Sequence, residues 1–130
     1  MNFPSDLKYT KSHEWVRKSE GSAVVGITDY AQHEISDVVY IELPKVGQKV
    51  EQGKAVSVVE SVKAAFDIYA PVSGVIKKIN TLLESDPALI NKDPYGKGWF
   101  FELTPDRPEQ FESLLARDQY EHLIKQEAKG

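Results

Sequence analysis

Residues 56–71, which read VSVVESVKAAFDIYAP, are the most informative stretch of the sequence. The first half is rich in β-branched residues and ends at Glu60-Ser61, a composition that favours a strand. In the second half, apolar side chains recur at every second position, the period expected of a half-buried strand; they are Phe66, Ile68 and Ala70. The two runs predict a β-hairpin with Lys63 at its tip, although the reversal lacks the Asn-Gly or Asp-Gly pair of the tightest hairpin turns.

Two roles are open to Lys63 at such a tip. A catalytic amine needs a lowered pKa, which comes from desolvation or from a neighbouring cation. Beside the small residues Val62 and Ala64 the amine is expected to be exposed and ordinary. That exposure suits an attachment point for a cofactor arm that separate active sites can reach. The pattern is satisfied equally by one more surface lysine, so both interpretations stay open at this point.

Length and composition exclude several classes of protein. The chain has 130 residues, enough to bury about two thirds of its extended-chain surface, and a single domain over residues 1–130 is expected. The absence of Cys suits a reducing compartment. A net charge of −4 argues against a general nucleic-acid binder, which would carry a clustered basic face. Since no apolar run approaches the roughly 20 residues that span a bilayer, no membrane partner is expected either.

Short strands and turns account for most of the remaining chain. Six further runs have the composition of strands: residues 7–10, 13–18, 23–27, 38–43, 75–79 and 99–103. Gly26, inside one of these runs, indicates a bulge or a close backbone approach. The chain is therefore predicted to be mainly β.

The predicted helices are short and peripheral. Asp29 is expected to cap a first turn that continues to about residue 35. Residues 81–98 are expected to form an extended connection with one helical turn after Ser85. Two helical pieces close the sequence, and Asp118 is expected to cap the second of them.

Familiar catalytic and metal-binding motifs do not occur in this sequence. A zinc site is not expected because the histidines stand apart and no Cys accompanies them; they are His13, His33 and His122, each interpreted as a surface or partly buried histidine. A phosphate loop is excluded because five residues separate Gly47 from Gly53, and Ala55 stands where Ser or Thr would reach magnesium. No Gly-x-Ser-x-Gly elbow occurs. The chain is a poor candidate for a free-standing enzyme.

Residues 60–74 resemble the lipoylation site of the glycine cleavage system H proteins, with ESVKA followed by DIYAPVSG. The resemblance continues in the family's order through further motifs: SHEW at 12–15, VGITDYAQ at 25–32, Leu43-Pro44 with Val46-Gly47, LIN at 89–91, Pro94-Tyr95 with Gly98-Trp99, and ESLL at 112–115. It covers the chain from about Leu7 to Glu127. A lone Val-Lys-Ala would mean little, but several separate motifs in the same order make the resemblance specific.

The resemblance implies both a fold and a cofactor. The fold is mainly β, a barrel-sandwich hybrid of two antiparallel sheets that carries the lipoyl hairpin, with short peripheral and C-terminal helices. The cofactor is lipoate in amide linkage on Lys63. The implied protein is a carrier without catalytic residues of its own.

The resemblance also implies partners. In the family, the oxidised dithiolane accepts an aminomethyl group as glycine decarboxylase (P protein) releases carbon dioxide. The aminomethyltransferase (T protein) then removes that group as methylene-tetrahydrofolate and ammonia, and dihydrolipoyl dehydrogenase (L protein) reoxidises the dithiol. A lipoate ligase or an octanoyltransferase is implied as the enzyme that modifies Lys63.

Carried over residue by residue, the resemblance assigns three side chains to the surface cleft that receives the loaded arm: Ser12, Glu14 and Asp67. A carboxylate there can pair with the ammonium of the aminomethyl group. The alternative for Ser12 and Asp67 is ordinary turn or surface polarity. Recognition by the lipoylating enzyme is assigned to the residues around the lysine, namely Glu60, Ser61, Val62 and Ala64, and the alternative for Glu60 and Ser61 is that they shape the turn.

Several alternatives compete with this function. A biotin carrier has Met on both sides of its lysine, where this chain has Val62 and Ala64. A lipoyl domain of a 2-oxoacid dehydrogenase would usually be one module of a longer chain with Pro/Ala-rich linkers. The non-carrier alternative is an accessory protein that keeps Lys63 bare or relays lipoyl groups to 2-oxoacid dehydrogenases. The sequence leaves the relay open, because its attachment chemistry is identical. The expected location is a bacterial cytoplasm, or the mitochondrial matrix if the protein is eukaryotic.

Overall fold

The computed structural model describes residues 1–129, with side chains through Glu127; Gly130, the last residue of the expected domain, lies outside the described residues. The elements in chain order are β1 Lys8–Tyr9, β2 Glu14–Ser19, β3 Ser22–Ile27, α1 Asp29–Ile35, β4 Val38–Glu42, β5 Lys49–Val50, β6 Ala55–Ser61, β7 Ala65–Tyr69, β8 Gly74–Ile79, α2 Leu82–Ser85, α3 Leu89–Lys92, β9 Phe101–Pro105, a 3₁₀ helix Pro108–Ser113, and α4 Arg117–Lys129.

The strands form two antiparallel sheets. One has six strands in the order β1-β2-β3-β9-β8-β5, and the other has three in the order β4-β6-β7. All of the strand pairs are antiparallel. The predicted hairpin is confirmed as β6 and β7, in which Val59 pairs with Phe66 and Glu60 with Ala65. The mainly β fold of two antiparallel sheets with short helices is confirmed.

Most of the apolar side chains are buried in one core that draws on both sheets. Alternation along the hairpin puts Val59 and Ile68 into this core, where they are joined by Val25, Ile76 and Phe101 from the larger sheet. A smaller cluster contains Leu7, Tyr9, Trp15 and Tyr120. The rings of Tyr9 and Tyr120 stack with their centroids 4.7 Å apart, so this second cluster fastens α4 to β1.

Gly26 faces the indole of Trp15 on the neighbouring strand. The two residues are paired in the β2–β3 ladder, and a Cβ at Gly26 would lie 2.6 Å from two ring carbons of Trp15. The close approach expected at this glycine is therefore made by a side chain and leaves no room for any other residue. Trp15 is fully buried as a result.

The caps of two helices differ from the sequence prediction. The N-cap of α1 is Thr28 and not Asp29, because Thr28 has extended backbone and its hydroxyl accepts a hydrogen bond from the Ala31 amide at 3.1 Å. Asp29 is the first helical residue. The cap of α4 is likewise not Asp118: the helix begins at Arg117, and the Gln119 side chain accepts from the amide of Ala116 at 2.9 Å.

The connection after Asn80 is more helical than the sequence indicates. It contains two one-turn helices, α2 and α3, where one turn was predicted. Each is anchored by a fully buried residue, Leu83 in α2 and Ile90 in α3. Burial of these two side chains stabilises turns that are too short to be stable alone. Among the described helices, none has both the length and the apolar character needed to cross a membrane.

Candidate functional site

A serine hydroxyl holds the tip of the β6–β7 hairpin. The Ser61 amide donates to the carbonyl of Ala64 at 2.9 Å. The Ser61 hydroxyl accepts from the amides of Lys63 at 3.0 Å and Ala64 at 3.2 Å. Such side-chain bonds to nearby amides substitute for the glycine-based turns that the sequence lacks. The alternative role considered for Ser61, shaping the turn, is therefore present in the structure.

Lys63 projects from this turn with an exposed side chain. Its Nζ lies 3.4 Å from the carbonyl oxygen of Glu34, in the last turn of α1. The turn itself is fixed to the chain before β4, because the amide of Val62 donates to the carbonyl of Asp37 at 3.0 Å. The backbone of the tip is thus held in place while the amine remains accessible.

Glu14 is a buried carboxylate, only 1% exposed. Its Oε1 accepts from the hydroxyls of Thr10 and Ser12, both at 2.6 Å. Its Oε2 accepts from the amide of Tyr69 on β7 at 3.3 Å. Hydrogen bonds to a charged acceptor are about twice as strong as neutral ones, so this network fixes the orientation of the carboxylate.

Two cavities adjoin these residues. The Glu14 cavity has a volume of about 310 Å³, and its lining includes Ser12, Glu14 and Tyr69. The Asp67 cavity has a volume of about 270 Å³, and its lining includes Ser12, Glu34 and Asp67. Ser12 lies between the two cavities. The structure thus brings Ser12 into contact with Glu14 and places Asp67 across the neighbouring cavity.

The Asp67 cavity lies next to the lysine and is acidic. Glu34, whose carbonyl contacts the Lys63 amine, is part of its wall. Asp67 and Glu127 add two further carboxylates, and the described lining contains neither Lys nor Arg. The carboxylates are too dispersed to hold a metal ion, since no cluster of three or more suitable ligands occurs among the described residues. The cavity instead presents a negative potential to whatever enters it.

His13 also lines the Asp67 cavity, although no sequence pattern indicates this role. Its backbone has a φ of 74°, which is unusual for a residue other than glycine. Nδ1 lies 2.8 Å from the hydroxyl of Tyr120, and Nε2 lies 3.2 Å from a carboxylate oxygen of Glu127. The histidine therefore links the Ser12–Glu14 segment to α4, which follows about a hundred residues later in the sequence.

The Tyr120 hydroxyl is buried in this network. It also lies 2.7 Å from the hydroxyl of Thr28, the N-cap of α1. Burial raises the pKa of Tyr120 well above its ordinary value near 10, so the hydroxyl stays protonated even in moderately alkaline solution. At the rim, desolvation, followed by the charge of Glu34, raises the pKa of Tyr30, whose ring lies 4.9 Å from that of His13. His33 and His122 are exposed, as predicted.

The chain is similar to known proteins over nearly its whole length. The family described as Glycine cleavage H-protein matches residues 7–127. A glycine cleavage system H protein of Thermus thermophilus is 52% identical over 128 residues, covering 98% of this chain and all of the relative. The corresponding protein of Psychrobacter cryohalolentis is 53% identical over 122 residues, covering 93% of this chain and 97% of the relative.

A solved structure has the same fold as this chain. The glycine cleavage system H protein of Mycobacterium marinum superimposes with a TM-score of 0.82 at 37% identity, covering 91% of this chain and 95% of that one. The family match extends over nearly the whole chain, and two relatives exceed half identity over almost their full lengths. This chain belongs to the glycine cleavage H-protein family.

Proposed function

We propose that Lys63 is the attachment point of a lipoyl group on which this chain carries the aminomethyl group of glycine. Membership of the family makes the chain a carrier component of the glycine cleavage system and not a catalyst. The observation that carries the assignment of Lys63 is its place on a turn with a fixed backbone, with an exposed amine at the edge of an acidic cavity.

The surroundings of Lys63 fit such a group. The flanking residues, Val62 and Ala64, are exposed and have no charge, so an acyl group can reach the amine without a clash or a competing nucleophile. When bound, the lipoyl group supplies a dithiolane whose sulfur takes up the aminomethyl group and releases it elsewhere. The chain itself supplies position, since the hydrogen bonds of Ser61 hold the backbone of the tip.

We further propose that Ser12, Glu14 and Asp67 receive the cationic cargo. The ammonium of an aminomethyl group is attracted by the carboxylates of Glu14 and Asp67, and the hydroxyl of Ser12 stands between the two cavities. Glu14 is suited to this role because its hydrogen bonds hold the carboxylate in one orientation. Partial enclosure limits the access of water to the cargo.

Recognition by the lipoylating enzyme is assigned to Glu60, Ser61, Val62 and Ala64. These residues surround the lysine on a short turn held by hydrogen bonds, so an enzyme that binds Lys63 in its active site contacts them as well. Glu60 is exposed on β6 and contributes a negative charge beside the tip. Ser61 acts through the shape of the turn.

The partners follow from the chemistry of the carrier. Glycine decarboxylase loads it, the aminomethyltransferase unloads it, and dihydrolipoyl dehydrogenase restores the dithiolane, while a lipoate ligase or octanoyltransferase modifies Lys63. The relatives described above are bacterial, and on that ground we place the protein in the cytoplasm.

Intact-mass measurement tests the attachment directly. Protein purified from lipoate-replete cells should carry one lipoyl adduct, and peptide mapping should place it on Lys63. The adduct should be absent from Lys63→Arg and present in Lys54→Arg, a neighbouring exposed lysine that serves as the control. Unmodified Lys63 in those cells would overturn the proposal. Reconstitution with the three enzymes then distinguishes a shuttle from a protein that only relays lipoyl groups.

A further inference from the structure

Large apolar side chains are exposed on one side of the Lys63 hairpin. Val39 is 55% exposed, Tyr40 53% and Val62 69%. The other exposed large apolar residues of the described chain are Met1, Val46 and Leu82. Half of the exposed large apolar residues of the described chain therefore lie beside the lysine. We call these three residues, Val39, Tyr40 and Val62, the β4 patch.

A β-bulge produces the β4 patch. The register of β4 against β6 shifts between Val38, which pairs with Ser61, and Tyr40, which pairs with Glu60. Val38 and Ile41 are buried, whereas both residues between them are exposed. A regular strand would bury one residue of each adjacent pair, so the bulge directs an additional apolar side chain into solvent. Bulges of this kind often redirect side chains near functional sites.

The β4 patch is fixed to the tip that carries the lysine. Backbone pairing joins Tyr40 to Glu60, and the amide of Val62 donates to the carbonyl of Asp37 at 3.0 Å. The three-stranded sheet has the order β4-β6-β7, so the patch lies at one outer strand and the Asp67 cavity at the other.

Carboxylates surround the patch. Glu60 pairs with Tyr40 across the two strands, and Glu42 lies two residues after Tyr40, on the same face of β4. Asp37 precedes the strand, and all three of these acidic residues are exposed. A matching partner surface has an apolar centre and a basic rim, because that arrangement buries the apolar side chains and complements the charge.

We propose that the β4 patch is the docking surface for the enzyme that joins the lipoyl group to Lys63. This inference rests on the proposed function. In the joining step, the neutral lysine amine attacks the carbonyl carbon of a lipoyl group activated by ATP as an adenylate. The amide C–N bond forms, the bond to AMP breaks, and the nitrogen loses its proton to solvent. The amine must itself enter the enzyme's active site, so the surface around the tip is covered.

The other partners need not approach so closely. They act on sulfur atoms that lie many bonds beyond the lysine amine, and the arm can bridge the remaining distance. A surface immediately beside Lys63 therefore suits the attaching enzyme best.

The test uses unmodified full-length protein, a lipoate–protein ligase, lipoate and ATP, with intact mass followed over time. The double variant Val39→Thr/Tyr40→Thr removes most of the apolar surface but keeps residues that favour strands. It should lower kcat/KM for lipoylation at least about tenfold, the size expected on losing an interface anchor. Val46→Thr, which alters an apolar residue of similar exposure (62%) outside the patch, should have no effect.

A variant that changes only charge tests the same proposal if the double variant does not fold. Glu42→Lys keeps the apolar surface and should slow lipoylation at low ionic strength, and the difference should shrink as salt is added. Fully lipoylated double variant, prepared by prolonged incubation, should support glycine cleavage at the wild-type rate. Thermal unfolding midpoints establish that each variant is folded.

Several outcomes would overturn the docking proposal. One is wild-type lipoylation of both the double variant and Glu42→Lys. Another is normal lipoylation with impaired glycine cleavage, which would assign the patch to an enzyme of the cleavage system. A third is a wild-type dimer that the double variant dissociates, which would make the patch a contact between copies of this chain. Failure of the proposed function is distinct, because wild-type Lys63 would then remain unmodified.

Discussion

His13 Nδ1 lies 2.8 Å from the hydroxyl of Tyr120, a residue 107 positions further along the chain. The contact attaches the segment that contains Ser12 and Glu14 to the C-terminal helix. The same hydroxyl lies 2.7 Å from Thr28, so it joins three elements around the Asp67 cavity. The wall of the cavity is therefore assembled from parts of the sequence that are far apart, and its shape depends on the docking of α4.

Tyr120→Phe should destabilise the protein. The substitution keeps the stacked ring but leaves His13 Nδ1 and the Thr28 hydroxyl without their buried partner, at a cost of about 1–3 kcal/mol in the free energy of unfolding. Urea unfolding measures this change. Tyr40→Phe, which removes an exposed hydroxyl, is the control and should stay within about 0.5 kcal/mol of wild type. Equal stability of the two variants would show that the Tyr120 hydroxyl contributes nothing to the fold.

Ser61→Ala should slow lipoylation of Lys63. The turn loses the hydroxyl that accepts from the Lys63 and Ala64 amides, so its backbone becomes more mobile. Ser61→Thr keeps that hydroxyl and should be modified at nearly the wild-type rate. The measurement is the initial rate of mass increase with a lipoate ligase. If Ser61→Thr is lipoylated as slowly as Ser61→Ala, the enzyme recognises the serine side chain itself. A change in the turn would then not explain the slower lipoylation.

Glu14→Ala should leave lipoylation intact and shorten the lifetime of the loaded carrier. The variant removes the carboxylate that faces the Glu14 cavity, so an ammonium there loses its charge partner. Release of formaldehyde and ammonia from the loaded protein, followed in the absence of the other enzymes, measures the lifetime. Glu109→Ala, an exposed acidic change in the 3₁₀ helix, is the matched control. An unchanged lifetime in Glu14→Ala would remove Glu14 from the cargo site.

Stability should decline in alkaline solution. Burial raises the pKa values of Tyr9, Tyr95 and Tyr120 above their ordinary value near 10. The folded state therefore retains protons that the unfolded state loses. This contribution is fully present below pH 10, and it is lost as the pH rises from the unfolded pKa toward the folded one. Each tyrosine contributes a slope of up to about 1.4 kcal/mol per pH unit in that range.

Urea unfolding between neutral pH and strongly alkaline pH measures that slope. Tyr120→Phe should reduce this slope by the contribution of one tyrosine. Spectrophotometric titration of the folded protein should show that the phenols of Tyr9, Tyr95 and Tyr120 ionise at a higher pH than ordinary tyrosines. A free energy of unfolding that stays constant above pH 10 would contradict the burial argument.

The sequence predicts the hairpin well because its signal is local. Alternation along residues 65–70 follows from burial of one face, and the structure confirms that Ile68 and Ala70 are buried. The bulge at Val39 is different. Residues 38–41 are all apolar, so no alternation reveals which side chains face solvent. Only the pairing of Val38 and Tyr40 with successive residues of β6 shows that both Val39 and Tyr40 are exposed.

The walls of the site are less accessible to prediction from sequence. The resemblance identified Ser12, Glu14 and Asp67, and the structure places them around two adjoining cavities. The resemblance did not indicate Glu127, because a single sequence does not show that α4 folds back onto His13. The prediction that Asp29 caps α1 is wrong for a similar reason, since the cap is Thr28. Both residue types cap helices, and backbone geometry selects between them.

The hydroxyls that hold Glu14 have a consequence for the speed of exchange. Thr10 and Ser12 orient the carboxylate, so a cation that binds there, as proposed, does not have to immobilise a side chain. Arrival and departure then involve no slow rearrangement of the receptor. If Glu14 receives the cargo as proposed, a carrier that visits several enzymes benefits from this arrangement, because a site that is already oriented can take up and release the cargo without delaying its delivery.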